Sequence, residues 1–195
     1  GYNADQLINK KYTLHQNYNY NNTNMVHSLF VAKEELTGRE DIIISYGDIV
    51  YQKNVLQNLI ASDAPISVVI DRAWLSYWKT RMEDPLTDLE TLKLESINKI
   101  VEIGKRPKNL SEIEGQYIGL IKVSAQFVTR LKQAWQNMDK NILYDGKDYD
   151  NMQMTSYLQM LINLGWDIRA TFIENGWAEI DCPDDLDVAL ANWKP

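Results

Sequence analysis

The chain is short of the residues that pin a structure from outside its core. It has one cysteine, Cys182, in 195 residues. No disulfide can form within it and no thiolate cluster can bind a metal, so a reducing cytoplasm fits. With two histidines there is no His-rich metal spacing and no Ser–His–Asp arrangement, and no P-loop is present. No apolar run approaches the ~20 residues that span a bilayer, and nothing resembles a signal peptide, so no membrane partner is expected. Positive charge is scarce too: 20 Lys and Arg face 27 Asp and Glu, a formal net charge of −7. A general nucleic-acid binder needs a basic footprint, so that partner is excluded. A nucleotide is not, because a divalent cation and a few local bases can offset its phosphates. Tandem repeats and Pro/Gly/Ser linkers are missing, and the Asn/Tyr cluster at 17–24 is the one biased tract.

What remains is 45% hydrophobic and 24% charged, a composition for one domain with a real core, burying roughly 70% of its unfolded surface. Asp5 to about Lys11 reads as the amphipathic end of a helix, and Tyr12–Gln16 as a short strand. Met25, Leu29, Ala32 and Leu36 lie on one helical face, with Thr23 as N-cap and Gly38 beyond the end. Asp41–Ser45 is β-branched and apolar, as a strand covered on both faces should be. A helix over Gln52–Ser62 and a buried strand over Ile66–Ile70 follow. Thr91–Leu94 and Lys99–Ile103 alternate about a turn, a hairpin. Gln116–Val123 is a strand, and Ser124 caps a helix whose core face is Phe127, Val128, Leu131 and Trp135. After an acidic loop at Tyr144–Asn151 come a helix over Thr155–Leu164, strands at Ile168–Ile173 and Trp177–Ile180, and a last helix from Pro183 to Ala191. Alternating strands and helices predict an α/β fold, a mostly parallel mixed sheet with an antiparallel excursion. Ligands bind such sheets where the carboxyl ends of the strands open.

Two acidic stretches carry the chemistry. Asp48 follows the Ile42-Ile43-Ile44 strand after Ser45-Tyr46-Gly47, where Gly47 lets a ligand approach the backbone. Asp181 stands just ahead of Pro183. Asp184 and Asp185 already supply the first-turn acid that a helix favours, which leaves Asp181 surplus for a ligand. One or two carboxylates, completed by substrate phosphates and water, are the usual protein share of a Mg²⁺ site. For an isolated Gly-Asp, an ordinary turn is the commoner outcome; the long apolar run and the companion acid favour the metal. Asn24 and Ser28 share a face at a helix N-terminus, suited either to a base or ribose or to simple capping. Lys105 and Arg106 follow the hairpin and suit either a substrate phosphate or a solvated turn. Trp177, Tyr117, Glu114 and Glu179 could enclose a cationic or amino head group, with core packing the alternative for each aromatic. His27 has no visible partner.

Taken in order, Gly1-Tyr2-x-Ala4-Asp5-x-Leu7, Asn19-Tyr20-x-x-Thr23-Asn24-Met25-x-x-Ser28-Leu29, Ser45-Tyr46-Gly47-Asp48, Gly115-x-Tyr117-Ile118-Gly119-Leu120-x-Lys122 and Trp177-x-Glu179-Ile180-Asp181-x-Pro183-x-Asp185-Leu186 resemble the phosphocholine cytidylyltransferase-like nucleotidyltransferases, from Gly1 to about Ala191. The resemblance implies a Rossmann-like core and transfer of CMP from CTP to a small phosphorylated or phosphonylated acceptor, with release of pyrophosphate. It implies that Asp48 and Asp181 bind Mg²⁺ and that Lys105, or Arg106 in its place, meets the acceptor's phosphate. Family members serve phosphocholine, 2-aminoethylphosphonate, sugar 1-phosphates and phosphoglutamine, for surface polysaccharide such as capsule or for lipid decoration. The Asn24-Met25-Val26-x-Ser28-Leu29 helix looks similar to the phosphoglutamine enzymes. A sugar-1-phosphate nucleotidyltransferase and a non-catalytic nucleotide-binding domain of the same fold are the alternatives, and a homodimer is left open. Residues 1–195 then form a single nucleotidyltransferase domain, incomplete at its N-terminal end, because the family's first strand and Gly-rich triphosphate loop do not occur in it. Cys182 stands where the family has a Thr or Ser cap.

Overall fold

The structure is a computed structural model that describes residues 1–8, 11–82, 84 and 87–192. Six strands form one sheet in the order β1 (Ile42–Ser45), β6 (Gln116–Val123), β3 (Ile66–Asp71), β7 (Ile168–Ile173), β5 (Lys99–Ile103) and β4 (Leu92–Glu95). β2 (Ile49–Tyr51) and β8 (Trp177–Glu179) make a separate antiparallel pair. The α/β architecture is as the sequence implies. Within the large sheet β3 and β7 run parallel while the other four pairings are antiparallel, so the antiparallel excursion is the larger share of these strands.

β3 sits at the centre because every one of its residues can be buried: Ile66 to Asp71 are all inaccessible. Period-2 alternation sends Ile66, Val68 and Ile70 into a core with Val26, Phe30, Leu131 and Tyr157. Val69 points into a second core with Leu59, Trp78 and Trp177. The first core is covered by α1 (Met25–Val31), α4 (Ala125–Gln136) and α5 (Met154–Asn163), and the second by α2 (Lys53–Ile60) and α3 (Trp74–Arg81). α6 (Pro183–Asn192) follows β8.

Several expectations are corrected. The helix over Asp5–Lys11 is a 3₁₀ turn at Ala4–Leu7, and residues 9 and 10 lie outside the described residues. Tyr12–Gln16 is no strand: no strand pairs with it, and Tyr12 and Leu14 face solvent. The helical face running to Leu36 is α-helical only to Val31 and continues in i→i−3 bonds, Lys33 N to Phe30 O and Leu36 N to Lys33 O. Its cap is Asn24, whose Oδ1 accepts from Met25 N at 2.8 Å, while Thr23 Oγ1 donates to Asn19 O. β1 is not covered on both faces, because its exposure alternates along the strand, and among the described residues β6 is its one neighbour in the sheet. Ser124 does not cap α4 with its hydroxyl. Asp41 from the edge beside β1 does, accepting from Ala125 N at 2.9 Å. That bond and the Lys122 ammonium hold the Asp41 carboxyl below its ordinary value.

Candidate active site

β2 and β8 bring the two chemical stretches together. Ile49 pairs with Glu179, and beyond the ladder Ile180 N donates to Asp48 O at 2.8 Å. Asp181 therefore follows the residue opposite Asp48. Both negative charges act on Glu179, whose carboxyl is raised by burial first and by Asp181 and Asp48 in addition, against the lowering contact with Arg81. Neither predicted acid is sequestered: Asp48 is exposed, and the Asp181 side chain is 57% accessible. The two segments that the sequence singles out thus meet, and both acids are open to solvent with Glu179 within electrostatic reach of each.

Arg81, at the end of α3, organises this group from beneath. Its side chain is 97% buried, and Nη1 reaches Glu179 Oε2 at 2.6 Å, Nη2 reaches Asp181 Oδ2 at 2.9 Å and Nε reaches Asp185 Oδ1 at 2.8 Å. Asp185 also accepts from the backbone N–H of Asp181 and of Cys182. This is the return half of a capping box, in which a third-position acid satisfies the free donors at a helix start. The Cys182 thiol itself donates to the same Asp185 Oδ2, at 3.3 Å.

Next to the acids a crevice opens between the start of β6 and the end of β8. Tyr46, Asp88, Glu90, Tyr117, Thr155, Glu179 and Asp181 are among its walls. Gly119 lies at φ +82°, in the left-handed region, and a Cβ there would meet the Tyr46 ring at 2.6 Å, so glycine lets Tyr46 close the crevice. Tyr46 Oη donates to Met25 Sδ at 2.9 Å, and the buried Tyr117 Oη beside it has no hydrogen-bond partner among the described residues. Burial raises both phenols. Glu90 is raised by burial, opposed by the Thr155 hydroxyl that donates to it at 3.1 Å. Asp88 accepts from Trp78 Nε1 at 3.2 Å. Four carboxylates on one crevice suit a cation or an amino group far better than a bare phosphate. A larger cavity of about 510 Å³ behind Trp177 has Glu174 as the one ionisable carboxylate on its walls and no basic side chain among the described residues.

The other expected residues divide. Tyr117 and Glu179 line the crevice. Trp177 is core: its indole packs on Tyr77 and Trp78, and Nε1 donates to the buried Asp71 at 2.9 Å. Glu114 accepts from Leu94 N at 3.0 Å on the β4 edge, away from these walls. Lys105 Nζ is paired with Glu102 at 2.7 Å, although its backbone bonds Thr91, next to Glu90. Arg106 is exposed and enters no ion pair among the described residues. Asn24 is spent on its cap, and Ser28 Oγ accepts from Asn17 Nδ2 at 3.0 Å. His27 does have a partner, Asp150, at 3.0 Å. Gly47 has nothing within 4 Å of where a Cβ would stand.

Sequence reasoning missed Arg81, Asp88 and Glu90. A signal existed for the two acids, in the alternation Asp88-Leu89-Glu90-Thr91-Leu92 leading into β4. Arg81 offered none, since its partners lie about a hundred positions away.

Among the described residues no group of three or more His, Cys, Asp or Glu is arranged to hold a metal unaided. Asp48 and Asp181 fit the two-carboxylate share of a Mg²⁺ site. Both are exposed, and the second oxygen of Asp181 takes no part in the Arg81 contact. No helix among the described residues is long and apolar enough to cross a membrane.

No family model matches the chain. The CTP:phosphoglutamine cytidylyltransferase of Campylobacter jejuni subsp. jejuni serotype O:2 is 41% identical to it across 97% of the chain and 78% of that protein. Among solved structures, the inositol-1-phosphate CTP transferase from T. maritima matches with a TM-score of 0.58 at 18% identity over 85% of this chain. A putative glucose-1-phosphate thymidylyltransferase from Bacillus anthracis matches with a TM-score of 0.58 at 12% identity over 89%. The chain spans 58% and 64% of those two structures, respectively. At such identities the likeness establishes a shared fold.

Proposed function

We propose that this chain, which belongs to the cytidylyltransferase family that includes CTP:phosphoglutamine cytidylyltransferase, transfers CMP from CTP to a phosphorylated, amino-bearing acceptor of the phosphoglutamine type. An oxygen of the acceptor's phosphate attacks the α-phosphorus of CTP, the α–β P–O bond breaks, and pyrophosphate leaves with the electron pair. The acceptor oxygen is already ionised, so no general base is required. The observation that supports this reading best is the Ile180–Asp48 backbone bond at 2.8 Å, which joins the Asp48 segment to the one that carries Glu179 and Asp181.

Mg²⁺ held by Asp48 and Asp181 would supply positive charge at the α-phosphate, where charge builds in the transition state. The chain's own residues do the positioning. Arg81 fixes Glu179 and the start of α6. Glu90 and Glu179 give the crevice the charge to take the acceptor's amino group, while the Lys105–Arg106 turn, bonded to Thr91, offers cations for its phosphate. Lys105 would have to exchange Glu102 for that phosphate, whereas Arg106 has no ion pair to break among the described residues. Capsule or other surface polysaccharide decoration is the setting such a product suits.

The test is pyrophosphate release with CTP against phosphoglutamine, phosphocholine, 2-aminoethylphosphonate and a sugar 1-phosphate. Phosphoglutamine turnover, with the sugar phosphate at least ~10²-fold poorer, is expected, because a site built to pair polar groups rejects analogues that leave them unpaired. Preference for a sugar phosphate, or no turnover with any acceptor, would refute the reading.

A further inference from the structure

We propose that Arg81 is a positioning residue that serves as a built-in counter-ion, holding the Asp181 carboxylate until a divalent cation takes it over. The inference rests on the reading of Asp181 as a metal acid and adds how that acid is kept ready.

Three features of the cluster point to exchange and not to a fixed staple. Asp185 and Glu179 already give the guanidinium two anions, with side chains 10% and 24% accessible, whereas Asp181 is 57% accessible. The third acid is surplus to neutralising one cation, and it is the one that solvent and ligands reach. Release of Asp181 also leaves no buried donor orphaned, because Arg81 Nη2 has a second acceptor, Asp185 Oδ2, at 3.3 Å. An unsatisfied buried donor would otherwise oppose the change. Lastly, the backbone of residue 181 is anchored independently of its side chain, through its N–H to Asp185 Oδ2 at 3.1 Å and through Ile180 N to Asp48 O. The carboxylate can therefore turn from Arg81 towards the Asp48 side while its Cα stays in place.

A plain staple and a counter-ion predict opposite effects on metal affinity. A staple, once removed, loosens the acids and weakens cation binding. A counter-ion, once removed, frees Asp181 and deletes a neighbouring positive charge, so the cation binds more tightly.

The experiment titrates Mn²⁺ into the full-length protein without nucleotide, following free Mn²⁺ by electron paramagnetic resonance, and measures turnover with saturating Mg·CTP in parallel. Asp181→Asn is expected to weaken Mn²⁺ at least tenfold. Arg81→Gln is expected to tighten it by about three- to tenfold, the order of magnitude for loss of one nearby charge in a partly solvated site, while turnover falls tenfold or more as Glu179 loses its partner. Weaker or unchanged Mn²⁺ binding in Arg81→Gln, with the Asp181→Asn loss present, overturns the counter-ion role and leaves the metal reading intact. Unchanged binding in Asp181→Asn overturns the metal reading itself. If Arg81→Gln does not fold, Arg81→Lys decides the matter: a compact ammonium lacks the fork whose Nη1, Nη2 and Nε each meet a different acid and so holds Asp181 less well, so Mn²⁺ should bind about two- to fourfold tighter, and equal or weaker binding refutes the proposal.

Discussion

Asp71 offers a test of how the acid-bearing edge is held. It ends β3, is fully buried, and accepts three bonds: Ala73 N at 2.8 Å and Asn175 N at 3.0 Å through Oδ1, and Trp177 Nε1 at 2.9 Å through Oδ2. Asp71→Asn can keep its oxygen on the two backbone donors, but its NH₂ must then face the indole N–H. A charge-assisted bond of about 1.5–3 kcal/mol is lost and two donors confront each other, so the variant should be destabilised by about 2–4 kcal/mol. For a chain of this size that corresponds to a fall in Tm of about 4–16 °C. Trp177→Phe removes the indole donor at a separate packing cost of about 1–3 kcal/mol against Tyr77 and Trp78. In that background the Asn no longer meets a donor, and Asp71→Asn should cost about 1 kcal/mol. Urea unfolding of the two single variants and the double variant should thus give a coupling of about 1–3 kcal/mol. Costs that add to within about 0.5 kcal/mol, as for independent sites, would refute the account of Asp71 as the clamp on the start of β8.

Asp48→Asn and Asp181→Asn should each lower turnover by about 10²-fold or more, the scale for loss of one preorganised electrostatic group; near-normal CDP-product formation by either, in a pyrophosphate-release assay, removes that residue from the mechanism. Burial raises the Glu90 carboxyl, so the folded chain keeps a proton that the unfolded chain releases, and stability falls as pH rises from the unfolded carboxylate value through the folded one. Glu90→Gln should therefore match the parent near pH 4 and be more stable at pH 7 by thermal melting; the reverse order, or no change with pH, contradicts the burial argument. Gly119→Ala combines a left-handed φ with a Cβ placed 2.6 Å from the Tyr46 ring, and should cost about 2–4 kcal/mol of stability; a loss below 1 kcal/mol would show that Tyr46 moves aside freely.

Elements whose own residues decide their environment are legible in the sequence. β3 is apolar along its length and ends up central, the β4–β5 hairpin falls where its alternation and turn put it, and α4 buries Val128 and Leu131 as its period requires. Failures came where a distant partner decides. Ile42 to Ser45 reads as a doubly covered strand, and only the layers packed around it decide that every second residue stays exposed. Trp177 and Glu114 carry the right chemistry for a head group, but Asp71 and the β4 backbone claim them first. The places of Asp48 and Asp181 in the fold are legible because short spacings fix each one locally, after a strand and before a helix. The residue that binds the cluster together, Arg81, sits in a helix whose sequence gives no hint of three acids waiting beyond position 178.

Those separations bear on how the molecule is born. Arg81 and its acids are 98 to 104 positions apart, so at ≈ 5–20 residues per second of synthesis the arginine emerges from the ribosome roughly 5–20 s before its partners. β2 likewise waits for β8. The six-stranded sheet draws on no residue after Ile173, so a nascent chain that has emerged to that point holds all six of these strands but neither β8 nor the acids that follow it. The β2–β8 pair and the Arg81 cluster are therefore the last of these contacts to close, after the six strands of the sheet are all present.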